Sequence, residues 1–131
     1  MTEQRPQQVP RPLAAELEFD DQISAAIVNL RGEHDISTTP LVNAAFAGAG
    51  AHARVVVDLS ECTFADSSLI GALVGVHKQL SAREGRLVLV IPTTALAVRR
   101  LSELARLAEI APIHETRTAA VAGFRPEGAG S

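Results

Sequence analysis

Residues Val55–Leu80 read VVVDLSECTFADSSLIGALVGVHKQL. The run Val55-Val56-Val57 predicts a strand over Arg54–Leu59, and three consecutive β-branched residues require apolar cover on both faces. Beyond the polar turn, Leu69, Leu73, Val76 and Leu80 recur at intervals of four, three and four. That spacing predicts a helix from Ser67 to Arg83 with one apolar stripe, stopped at Gly85. Asp66, Ser67 and Ser68 stand at the seam between the two elements, where one side-chain oxygen must cap the helix.

The same pattern continues outward. Leu13–Asp20 and Ile23–Leu30 read as two strands joined at Asp20-Asp21, and Arg31–Asp35 as a turn. Ser37-Thr38-Thr39-Pro40 opens a helix over Pro40–Ala47, ended by Gly48 and Gly50. Leu87–Ile91 is a second continuous apolar strand, stopped by Pro92. Thr93 or Thr94 is placed to cap a helix through Arg100, with helical periodicity resuming over Leu101–Leu107. Ile113-His114 reads as a short last strand and Thr118–Phe124 as a final helix. Strand–helix alternation after residue 54 implies parallel pairing, and the first two strands add an antiparallel edge. The expected fold class is therefore α/β, a small mixed β-sheet with helices packed on it. The domain is expected over 13–124, with polar, proline- or glycine-bearing tails at 1–12 and 125–131.

Composition narrows the function. With 131 residues, 47% hydrophobic and 21% charged, the chain suits one globular domain. A net charge of -3 without a dense Lys/Arg block removes the footprint of nucleic-acid or anionic-membrane binding. The only aromatic residues are four Phe, too few for base-stacking platforms. No signal sequence is evident and no apolar run spans a bilayer, so a cytoplasmic location is expected. Single Cys62 excludes an intramolecular disulfide.

Candidate chemistry is sparse. Ser, His and Asp are present without a nucleophile elbow, so a hydrolase triad finds no support. His34 and Asp35 are adjacent, but His52, His77 and His114 lie without ligand spacing, and no metal site is expected. Gly48 and Gly50 follow a helix rather than a strand, and a lone Cys62 reads as a core residue. Arg99, Arg100 and Arg106 read as a solvated helix face. Ser67 is different. A phosphate there would meet the favourable helix N-terminus, yet beside Asp66 it would add about −1.5 to −2 charges to a neutral, apolar-edged surface.

Asp66-Ser67-Ser68-Leu69-Ile70-Gly71, after VVVDLS and before the striped helix, resembles the signature of STAS domains, specifically bacterial anti-sigma factor antagonists. Gly32-Glu33-His34-Asp35-Ile36 is similar to the family's Gly-Glu-x-Asp turn after the second strand. The likeness spans Leu13–Phe124. It implies a non-enzymatic switch without cofactor: Ser67 is the phosphoacceptor of a partner anti-sigma factor serine/threonine kinase, which supplies its own ATP and magnesium. The bare protein captures that kinase and frees sigma factor. His34, Asp35, Asp66, Ser67, Ser68, Leu69, Ile70 and Leu73 are the expected partner-binding residues, and a homodimer is compatible with this arrangement. Leu69 stands where the family pattern often carries glycine, putting a larger side chain where a partner loop would approach. Two alternatives stay open: a STAS adaptor or scaffold subunit without phosphorylation, as in a lipid-transport or stress complex, and a receiver-like domain phosphorylated on Asp58. The receiver reading lacks its acidic pair and later lysine.

Overall fold

A computed structural model describes residues 14–124; the tails expected at 1–12 and 125–131 lie outside the described residues. Five strands run in the sheet order β1-β2-β3-β4-β5: β1 Ala15–Asp20, β2 Ala25–His34, β3 Arg54–Ala65, β4 Arg86–Val90 and β5 Ile113–His114. β1 pairs antiparallel with β2, and all later pairings are parallel. The helices are α1 Thr39–Ala49, α2 Ser67–Ser81, α3 Leu96–Leu104 and α4 Arg117–Ala122. The mixed α/β architecture expected from the sequence is the one observed.

Alternation along the central strands divides the core. Val55, Val57 and Leu59 join Val28, Leu30, Leu89 and the helix stripe Leu69, Leu73, Val76 and Leu80 on one face. Val56, Val88, Val90 and Ile27 face the other way, against Ala120 and Phe124 of the α4 segment. The valine run is thus covered on both sides.

Several boundaries differ from the sequence reading for physical reasons. β3 continues from Leu59 to Ala65, because β2 also continues past Leu30 and supplies partners for the polar stretch. The register moves from Asn29↔Asp58 to Arg31↔Glu61 and from Gly32↔Cys62 to Glu33↔Phe64, so β3 carries two extra residues as bulges. Gly32, at φ 78, adopts the conformation that this irregular pairing needs. α2 stops at Ser81, and Glu84 (φ 62), rather than Gly85, takes the left-handed position. α3 begins at Leu96 with Ala95 at its N-cap and no threonine hydroxyl capping it. It ends at Leu104, and Arg106 at φ 55 breaks the periodicity before the 3-10 turn Leu107–Glu109.

Candidate functional site

Parallel strands β2 and β3 end side by side, His34 opposite Ala65, and each then turns through an aspartate into a helical segment. Asp35 is extended (φ -136, ψ -165) and accepts the Ser37 N–H at 2.9 Å; Asp66 is extended (φ -122, ψ -168) and accepts the Ser68 N–H, also at 2.9 Å. The two seams are bonded together, since the Asp66 N–H donates to the His34 carbonyl at 3.2 Å. In each, the residue after the capping aspartate projects outward: Ile36 is 76% exposed, and Ser67 is exposed.

The capping question is thereby answered. Asp66 satisfies the first-turn N–H, so Ser67, the first residue of α2, has no capping duty, and its hydroxyl makes no hydrogen bond among the described residues. Asp66→Ala should cost about 1 kcal/mol in a denaturation curve, the ordinary worth of such a cap, while Asp66→Asn should cost far less. The Ser37 hydroxyl, and then the Ser37 N–H, hold the Asp35 carboxyl below its ordinary range. That end of the sheet keeps its negative charge at any neutral pH.

Three of the expected partner contacts face inward. His34 is 1% exposed; its Nε2 donates to the Arg31 carbonyl at 3.0 Å, and Nδ1 lies 3.0 Å from Thr38 Oγ1. It ties the end of β2 to the segment that follows and offers almost no surface to a partner. Leu69 and Leu73 belong to the apolar stripe and are buried in the core. The side chain replacing the family glycine therefore points into the fold, packed near Val42 and Ala72, and adds no bulk at the surface. Asp35, Asp66, Ser68 and Ile70 are part-exposed around exposed Ser67. Ile36, at the β2 seam, and Phe64, near the end of β3 and 47% exposed, are exposed apolar residues that sequence reasoning missed. An apolar residue inside a capping turn, outside any helical or strand period, was the available signal for Ile36.

Asp58 is not a free phosphoacceptor. Its carboxylate is buried, with Oδ1 accepting the Ser60 N–H and Oδ2 accepting Arg117 Nε, both at 2.9 Å. Arg117 also donates to the Asn29 amide oxygen and to Glu18. Cys62 is likewise structural: burial pushes its thiol up to about 11, and Sγ donates to the Phe64 carbonyl at 3.4 Å. At about pH 8 almost none is thiolate, so an alkylating reagent should label Cys62 only after unfolding, as mass spectrometry will show. Among the described residues no cluster of potential ligands could hold a metal, and no helix is long and apolar enough to cross a membrane.

A family model described as "Mlab, STAS domain" matches residues 17–113. The chain belongs to the STAS domain family. Among solved structures, this STAS domain is similar to an anti-sigma factor antagonist from Mycobacterium paratuberculosis, at 26% identity and a TM-score of 0.72, over 86% of this chain and 93% of that one. It shares its fold with the anti-sigma factor antagonist SpoIIAA in unphosphorylated form (23% identity, TM-score 0.67, 87% and 100% covered). The phosphorylated form of the Bacillus cell fate determinant SpoIIAA also shares it (24%, TM-score 0.65, 86% and 100% covered). Arg117 and α4 lie beyond the residues that the STAS family model matches.

Proposed function

We propose that this STAS domain is an anti-sigma factor antagonist. Unphosphorylated, it captures an anti-sigma factor that is also a serine kinase, and so frees sigma factor. The kinase, with its own ATP and magnesium, esterifies Ser67 and ends the complex. The observation that carries this reading is exposed Ser67, relieved of capping by Asp66 at the seam where β2 and β3 end side by side. A serine oxygen held at a helix start, with no competing hydrogen bond, is placed for attack on a phosphoryl group bound by another protein. The named similarity to structures of antagonists, one of them phosphorylated, supports it.

The second reading is a STAS adaptor subunit that is never phosphorylated. One experiment separates the two. The protein is incubated with ATP and each anti-sigma serine kinase of its source organism, and its peptides are mapped by mass spectrometry. Phosphate on Ser67 and loss of the complex support the switch; a stable complex with Ser67 bare supports the adaptor.

A further inference from the structure

Away from the seam, a hollow of about 450 Å3 lies where α3 and the following 3-10 turn pass beside β5. Its base is apolar, formed by fully buried Ile91 and by Ile113. β5 is the sheet's last strand. The carbonyls of Pro112 and His114 accept the N–H groups of Leu89 and Ile91 at 2.9 and 2.8 Å. By the alternation of a parallel ladder, Ile113's own N–H and C=O point away from β4, toward the side where no further strand lies among the described residues.

The polar groups around the hollow are unequally used. Arg99 donates to the Ile91 carbonyl at 3.0 Å, and Arg106 is paired with Glu109 at 3.6 Å. Glu103 and Glu115 are exposed and have no ion pair among the described residues. Ser102 is only 6% exposed, lines the hollow, and its hydroxyl has no hydrogen-bond partner among the described residues. An open strand edge, an apolar recess and two unpaired carboxylates form one continuous surface, on the opposite sheet edge from β1.

We infer that β5 accepts an extended, basic segment of a partner protein as an added strand. One apolar side chain of that segment enters the recess over Ile91 and Ile113. Lys or Arg residues two positions to either side share that face and reach Glu103 and Glu115. Main-chain bonds form to Ile113, and Ser102 supplies the hydroxyl at the recess wall. A second copy of this chain does not fit, because it would set the same carboxylates against one another. An acidic segment fits less well, since the carboxylates lining the hollow, Glu103, Glu109 and Glu115, outnumber its arginines, Arg99 and Arg106. The inference is independent of the Ser67 reading, and it makes the domain a two-surface adaptor.

The test is an amide NMR titration of the isotope-labelled full chain with the peptide acetyl-Lys-Thr-Leu-Thr-Lys-amide. Saturable shifts centred on Ser102, Ile113 and Glu115 are expected. Joint replacement Glu103→Lys and Glu115→Lys, both at exposed sites that leave folding intact, should weaken binding about tenfold. The inference is overturned by absent shifts, by shifts centred on another surface, or by equal affinity for the peptide with Glu in place of Lys. Unchanged affinity after N-methylation of the central leucine overturns it too, because strand addition needs that donor.

Discussion

Replacing Ser67 by Asp should weaken the complex with the kinase partner about a hundredfold, while Ser67→Ala should leave it within about twofold. The asymmetry follows from the surface. Bare Ser67 is uncharged and makes no hydrogen bond among the described residues, so a partner covering it displaces little beyond solvent. A carboxylate there must lose water beside Asp66 and Asp35, neither of which has an ion-pair partner among the described residues. The same substitution should not harm the fold. Residue 67 is the first of a 15-residue helix, where a negative side chain interacts favourably with the exposed N–H groups. The melting temperature of Ser67→Asp should therefore equal or exceed that of the parent, while calorimetric titration with the partner shows the loss. Equal affinity of the Asp and Ala variants would remove the electrostatic switch.

How far the sequence foretells this site depends on the residue. The striped helix and the valine run were legible because one period, of helix or strand, dominates each. Ser67 was legible as a candidate because a capping sequence with three oxygen-bearing side chains needs only one of them to cap. Which oxygen caps was not, since it depends on the extended conformation that β3 imposes on Asp66. His34 shows a different limit: polar residues in a Gly-Glu-His-Asp turn read as surface, yet the long β2–β3 pairing folds this one under the turn, where Arg31 and Thr38 satisfy both ring nitrogens. Leu69 and Leu73 show a third. They belong to the motif by sequence and to the core by position, because the side of α2 that carries the stripe is the buried one. Asp58 read as the strand-end acid of a receiver-like alternative, and only its contact with a residue 59 positions later in the chain discloses its role.

That contact sets the second large effect. Arg117→Ala should destabilise the protein by about 3 kcal/mol in chemical denaturation. The Asp58 side chain is 8% exposed, and without Arg117 its carboxylate keeps only the Ser60 N–H. The Asn29 oxygen and Glu18 lose the same guanidinium. A double replacement, Asp58→Leu with Arg117→Met, should recover much of the loss, since no uncompensated charge is then buried. If Arg117→Ala costs less than about 1 kcal/mol, apolar contacts through Ala120 and Phe124 hold α4 and the ion network is incidental. The consequence reaches the seam through the backbone. The Ser60 N–H bonded to Asp58 lies in the first bulge of β3, between the pairings Asn29↔Asp58 and Arg31↔Glu61, and the strand beyond it carries Ala65 and Asp66 to their places beside His34. Loosening that bulge should raise amide hydrogen exchange over Glu61–Ala65 before the Val55–Val57 segment responds. Arg117, on the far face of the sheet, would then govern how firmly Ser67 is presented without approaching it.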